Sequence, residues 1–231
     1  MKEKREYQVY IVGTPIGNIE DISIRAVNIL KNVDEIYCED TRVSKKLLSY
    51  YGINKKLFSY NDFNEDKKSE EIIKKVKLGK KIALISDAGM PVISDPGYKL
   101  VKKMIKENIE YTVVGSTSAL INALILSGLP PNNFMFVGFL PKKKGKRFEK
   151  LSYLLSLNTT IIIYESPYRL DLLIKELYNL NKNIILVVVK ETTKLFEKVY
   201  RGKVVDFFEG NIKIKKKGEF VVLFNPEIDE I

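Results

Sequence analysis

Apolar residues in the first half of this chain fall in short runs, each followed by a polar loop and then by a stretch with apolar residues every third or fourth position. The short runs predict strands at Tyr7 to Val12, Val33 to Cys38, Lys56 to Tyr60, Ile82 to Ile85 and Glu110 to Val114. The helical spacing predicts four helices. One is capped by Asp21 and carries Ile22, Ala26, Ile29 and Leu30, and a second runs from Val43 to Tyr51 and is closed by Gly52. A third runs from Glu65 to Lys77 with Ile72, Ile73 and Val76 inward, and a fourth covers Tyr98 to Ile105. Alternating strands and helices imply a mostly parallel sheet.

The pattern changes after Gly115-Ser116-Thr117-Ser118. An apolar helix, Leu120 to Leu126, ends at Gly128-Leu129-Pro130-Pro131. Strands are expected at Phe134 to Leu140, Thr159 to Glu165, Ile184 to Lys190, Phe196 to Arg201 and Glu219 to Phe224. Helices are expected near Arg147 to Leu155 and over Tyr168 to Leu180, with Pro167 in the first turn. The closely spaced last strands resemble hairpins and predict an antiparallel part. The expectation is an α/β chain of two domains, 1–115 and 116–231, with a mostly parallel sheet in the first and a mixed one in the second.

Three strand ends carry candidate chemistry. The run Ile82 to Ile85 empties into residues 86–97, which hold Asp87, Asp95, Gly89, Gly97, Pro91 and Pro96. Glycine frees φ and proline fixes it, so such a loop can bring its backbone close to a ligand. An ordinary strand-to-helix turn is the competing reading. The first strand ends in Gly13-Thr14-Pro15-Ile16-Gly17-Asn18, and the second in Glu39-Asp40-Thr41-Arg42. Neither the G-x-G-x-x-G dinucleotide fingerprint nor a Walker A loop is present, which argues against an ordinary nicotinamide or flavin site.

Composition narrows the chemistry. Histidine and tryptophan are absent and Cys38 is the sole cysteine. This excludes imidazole bases, His-ligated metals and an intrachain disulfide, and no metal is expected. No apolar run reaches the ~18 residues of a membrane span. The start, Met1 to Glu6, is charged and lacks a signal-peptide core, so a cytoplasmic protein is expected. The net charge of +10 suits a polyanionic partner, although compositional bias would give the same sum. Local clustering says more. Lys142, Lys143, Lys144, Lys146 and Arg147 surround Gly145 and predict a flexible basic loop able to track a phosphate backbone. Lys213, Lys215, Lys216 and Lys217 form a second patch, while Phe139 and Phe148 read as core residues.

Six short motifs occur in register from residue 7 to about 224: Thr14-Pro15-Ile16-Gly17-Asn18, Glu39-Asp40-Thr41-Arg42, the 86–97 loop, Tyr164-Glu165-Ser166-Pro167-Tyr168-Arg169, Lys190-Glu191-Thr192-Thr193-Lys194 and Lys217-Gly218-Glu219-Phe220. Together they resemble the ribosomal RNA small subunit methyltransferase I family of the tetrapyrrole methylase superfamily. The resemblance implies an S-adenosylmethionine-dependent homodimer with its cofactor in a cleft between two α/β domains. It implies 2′-O-methylation of a cytidine in the decoding region of 16S rRNA, within the 30S subunit. By position, it puts Pro15, Asp87, Ala88, Gly89, Met90, Thr117, Ser118, Glu165, Ser166, Pro167 and Glu191 at the cofactor. Two departures stand out. The family's usual Pro-Gly at the domain junction is here Gly115-Ser116, and the sequence stops soon after Phe224, where relatives often carry a helical extension.

Methyl transfer from a sulfonium depends largely on alignment, and a base helps a ribose hydroxyl lose its proton. Without histidine the candidates are Asp40, Asp87, Glu165 and Glu191. Asp40 beside Arg42 comes first for the RNA-side chemistry, with a plain Asp40–Arg42 ion pair as the competing reading. Arg42 or Lys45 could bind phosphate. Two alternatives remain in view: a methylase of a small tetrapyrrole, and a non-catalytic RNA-binding or ribosome-assembly protein.

Overall fold

A computed structural model describes residues 6–228 and residue 230, so Met1 to Arg5 lie outside it. The chain divides into two compact units, the first ending at Ser118 and the second starting at Ala119. In the first unit, β1 (Val9–Val12), β2 (Glu35–Cys38), β3 (Leu57–Ser59), β4 (Ile82–Ile85) and β5 (Tyr111–Val114) form one sheet in the order β3-β2-β4-β1-β5. All its pairings are parallel, and β1 is paired on both sides, Val9 with Ile82 and with Tyr111.

Alternation along β4 shows how the layers form. Ile82 and Leu84 pack with Ile72, Val76, Leu100 and Met104, from α3 (Glu65–Lys77) and α4 (Tyr98–Lys106). Ala83 and Ile85 pack on the opposite face with Ala26, Leu30 and Leu48, from α1 (Ile24–Asn32) and α2 (Thr41–Tyr50). A strand covered on both faces reads as a continuous apolar run, as this one does. The neighbours β1 and β4 therefore send their chains to opposite faces, into α1 and into α4. That divergence is a topological switch point, where open α/β sheets leave a crevice beyond the strand ends.

The second unit has α5 (Ala119–Ser127), β6 (Phe134–Phe139), α6 (Lys144–Leu155), β7 (Thr160–Glu165), α7 (Leu170–Leu180), β8 (Ile185–Lys190), β9 (Lys198–Lys203), α8 (Val204–Phe208) and β10 (Phe220–Asn225). Its sheet runs β6-β7-β10-β8-β9. β6 and β7 are parallel, and β10 is antiparallel to both β7 and β8, as β8 is to β9. Ile162, Val187 and Leu223 face α5, whereas Ile161, Ile163, Val188 and Val222 share a core with Leu151, Leu173 and Leu177 of α6 and α7.

Several boundaries differ from those expected. Ser23, not Asp21, caps α1, its hydroxyl accepting from the Ala26 N–H. Asp21 instead ends a 3₁₀ turn capped by Asn18. α2 starts at Thr41 with Asp40 as its cap, and α6 starts at Lys144. α7 starts at Leu170, leaving Pro167 in the turn before it. Among the described residues no helix is long and apolar enough to cross a membrane.

Candidate functional site

At the switch point the loops after β1, β4 and β5 are tied together. Thr14 and Gly89 exchange both backbone hydrogen bonds, 2.8 and 3.1 Å. The buried Thr14 hydroxyl donates to the Ser86 carbonyl at 3.1 Å, and the Ser86 hydroxyl donates to the Gly89 carbonyl at 3.2 Å. From the third loop, Ser116 Oγ donates to the Thr14 carbonyl at 3.0 Å. Gly13 makes this approach possible, since a Cβ there would lie 2.5 Å from Met90 Sδ and 2.6 Å from Ser116 Cβ. The buried Thr117 hydroxyl has no hydrogen-bond partner among the described residues.

The 86–97 loop is strained as well as tied. Gly89 and Gly97 have φ of 81° and 138°, and so in the left-handed region do Val92 at 77° and Ser94 at 66°. A β-branched residue there is a true outlier, held only when its surroundings over-determine it. Glu65 supplies much of that hold. Its Oε1 accepts from the Gly97 and Lys99 N–H groups at 2.8 and 3.1 Å and from the Tyr60 hydroxyl at 3.3 Å. Glu65 thus caps α4 from another helix. The sequence pattern showed it only as the start of α3.

Beside this loop, Glu39, Asp40, Arg42, Ser59, Asn61 and Asp87 line a cavity of about 430 Å³. Asp40 is fully engaged there. Its Oδ1 accepts from the Arg42 N–H at 2.8 Å, and the Arg42 guanidinium grips both carboxylate oxygens at 3.0 and 2.6 Å. Those bonds hold the Asp40 carboxyl at about 2. The competing reading, an Asp40–Arg42 ion pair, is the one the structure forms, and a carboxylate so engaged accepts a proton less readily. The Arg42 side chain remains 87% exposed, and Lys45 is exposed one turn along α2. The backbone N–H of Asp40 donates to Asp87 Oδ1 at 3.0 Å.

The other acids of this corner are shifted the opposite way. Burial raises Asp87, against the Asp40 N–H bond, which lowers it, and with the Asp40 charge, which raises it. Burial and then Asp87 raise Glu39. Burial and Glu39 push Asp95 up to about 6. In the sequence Asp95 appeared only as a loop residue, because its burial beside Ser86 is set by the fold of the loop.

In the second unit, Glu165 ends β7 with 3% exposure. Its Oε1 accepts from the Ser166 N–H at 2.8 Å and lies 3.4 Å from Arg169 Nε, while its Oε2 is buried without a partner among the described residues. Burial raises its carboxyl. Pro167 follows in the turn. Glu191, at φ 53°, accepts from the Glu219 N–H and from Lys194 at 2.9 and 3.1 Å. Burial opposes its charge, but those two donors outweigh it and hold the carboxyl below its usual range.

The basic stretch differs from its expected form. Lys142, Lys143, Lys144 and Lys146 are exposed, but Lys144 onward is helix rather than flexible loop. Arg147 is turned inward, where its guanidinium makes two bonds of 2.7 and 2.8 Å to the buried Glu176. It is thereby removed from an RNA-facing set. Phe139 and Phe148 are not core residues; they are 58% and 46% exposed.

Comparison with known proteins agrees over nearly the whole length. The profile of the Tetrapyrrole (Corrin/Porphyrin) Methylases matches residues 8–207. Ribosomal RNA small subunit methyltransferase I of Thermotoga maritima is 44% identical over 218 residues, covering 94% of this chain and 98% of that protein. The protein of the same name from Mycoplasmopsis pulmonis is 46% identical over 222 residues, covering 94% and 97%. Among solved structures, uroporphyrin-III C-methyltransferase from Thermus thermophilus, complexed with S-adenyl homocysteine, superposes with a TM-score of 0.63 at 18% identity, covering 94% and 96%.

Proposed function

The chain belongs to the tetrapyrrole (corrin/porphyrin) methylase family and, within it, to the ribosomal RNA small subunit methyltransferase I group, and on that premise we propose that it transfers the methyl group of S-adenosylmethionine to the ribose 2′-hydroxyl of a cytidine in the decoding region of 16S rRNA. The observation that carries this reading is the end-to-end likeness to named rRNA methyltransferases.

The residues at the switch point fit the cofactor. The close approach at Gly13 and the left-handed Gly89 shape the loops, and the Thr117 hydroxyl beside them is an unsatisfied buried polar group of the kind a bound polar ligand answers. Pro15, Asp87, Ala88, Gly89, Met90, Thr117 and Ser118 are the first-domain residues proposed to hold it. When bound, the cofactor supplies an electrophilic methyl on a cationic sulfur. The carboxylates of Glu39, Asp87 and Asp95 give this corner a negative potential that suits a cation. Arg42 and Lys45 face solvent for phosphate. Asp40 orients Arg42 and starts α2, while Glu39 and Asp87, both raised by burial, provide the acceptor for the ribose proton.

The test is transfer of labelled methyl to 30S subunits lacking the modification, with naked 16S rRNA alongside, followed by nucleoside analysis. Label in 2′-O-methylcytidine is the expected result. Label in a base-methylated nucleoside would overturn the ribose assignment. Absence of label with cofactor bound would overturn the substrate.

A further inference from the structure

Two lysine stretches some seventy residues apart converge on one turn of the second unit. Arg169, which closes the turn at Pro167 to Arg169, donates from Nη2 to the Leu140 carbonyl at 2.9 Å. This bond fixes the turn beside the segment that leads into Lys142, Lys143 and Lys144. On the other side, Lys216 is hydrogen-bonded to Asp171, two residues after Arg169. The stretch from Lys213 to Lys217 therefore reaches the same place from the approach to β10.

Exposed rings adjoin the bonded pair Leu140 and Arg169 in the chain. Tyr168, at the centre of the turn, is 94% exposed, and Phe139, at the end of the edge strand β6, is 58% exposed. Phe139 is paired in register with Tyr164 and meets its ring edge-on at 5.9 Å, which sets its orientation. Phe148 lies one helical turn beyond Lys144 and so shares its face of α6. Exposed apolar surface rimmed by charged groups marks an interaction site. A polyanion complements the charge, and an unpaired base covers the rings, since every base offers a π-face.

We infer that Tyr168 and Phe139, flanked by the Lys142–Lys146 and Lys213–Lys217 stretches, form a docking surface for single-stranded RNA on which unpaired bases stack. This rests on the rRNA reading above and deepens it. The lysines track the backbone and the rings select unpaired over duplex RNA, whose bases are already stacked.

The experiment measures binding of a short unpaired RNA and of a duplex of the same sequence to the full chain, at several salt concentrations. Tyr168→Ala and Phe139→Ser are each expected to weaken the single strand about fivefold or more. Tyr168→Phe restores it, and duplex binding and the salt slope stay unchanged. Lys142→Ala combined with Lys144→Ala is expected to lower the slope by about 0.7 for each lost phosphate contact. Unchanged single-strand affinity in both ring variants overturns the inference. So does a changed oligomeric state at equal RNA affinity, because the rings would then meet a second copy of the chain. If the wild type methylates 30S subunits and the ring variants do so equally well, this surface falls while the rRNA reading stands. If the wild type neither binds nor methylates RNA, both fall.

Discussion

Residues 86–97 and residues 140–155 both carry the chain from a parallel strand into a helix, and they are held by opposite means. The first is held through its backbone. Four of its residues sit at positive φ, and its fixing bonds come from Thr14, Ser86 and Glu65 to main-chain groups. The second is held through side chains. Only Leu140 to Lys143 separate β6 from α6, and Arg147, Leu151 and Leu154 bury the helix. A backbone-held loop can keep main-chain groups close to a ligand at the cost of strain. A side-chain-held helix is an unstrained platform that presents charge outward. On the proposed reading, the contrast separates a site that must fit a small molecule from one that meets a large, variable surface.

The largest effect is expected on the side-chain-held element. Arg147→Ala leaves Glu176 buried without its partner, which costs about 3–5 kcal/mol. At this chain size the unfolding transition should fall by roughly 6–20 °C. Pairing Arg147→Met with Glu176→Leu should recover most of the loss, because apolar replacement removes both buried charges. RNA affinity per folded molecule should stay unchanged, since Arg147 faces inward. A variant that melts normally yet loses RNA binding would put Arg147 back on the RNA surface and erase the contrast.

A smaller effect is expected on the backbone-held loop. Glu65→Ala orphans the Gly97 and Lys99 N–H groups and the Tyr60 hydroxyl, a loss of about 1–3 kcal/mol. Here the sensitive readout is ligand affinity, since loosening the loop frees Val92 and Ser94 from strained φ. Calorimetric titration with S-adenosylhomocysteine should show about tenfold weaker binding, with Glu65→Gln, which keeps an acceptor oxygen, closer to wild type. Equal affinity in Glu65→Ala would show that the cap serves stability alone.

The two regions also differ in how far their sequence announced them. Glycine and proline restrict or free the backbone locally, so the strand Ile82–Ile85 and the bounds of the loop at 86–97 were legible, though not the left-handed Val92 and Ser94. α3 was legible to its ends, from Glu65 to Lys77, because its inward face repeats at helical spacing. A run of lysines carries no such signal. Lysine is a good helix former, so charge marked the solvent side and said nothing of loop or helix. Arg147 was misread because Glu176 stands 29 residues away. Glu65 was missed for a similar reason: a cap supplied by another helix leaves no local pattern. Phe139 and Phe148 read as core because apolar identity does not reveal an edge strand or an outward helix face. Asp40 and Arg42 were legible as a pair, and only their geometry decided between base and ion pair.

The smallest expected effect concerns Asp95, inside the strained loop. Its carboxyl sits at about 6, above the 3.8 of an unperturbed aspartate, so the native state holds a proton that the unfolded chain has released. Between roughly pH 4 and 6 the native state binds more protons, and stability falls as pH rises. Above 6 the penalty is complete; below 4 both states are protonated and it vanishes. Asp95→Asn removes the charge with little change of shape. After allowance for the group's partial exposure, the variant should melt about 1–2 °C higher than wild type at pH 7.5 and at the same temperature near pH 4. The pH dependence matters more than the size. A gain that persists at pH 4 would come from packing, whereas one confined to neutral pH would come from the Asp95 charge, which burial disfavours first and Glu39 and Asp87 then repel. If that repulsion is kept for the cationic sulfur of the cofactor, the variant should also bind S-adenosylmethionine more weakly, while its affinity for the uncharged thioether product changes less.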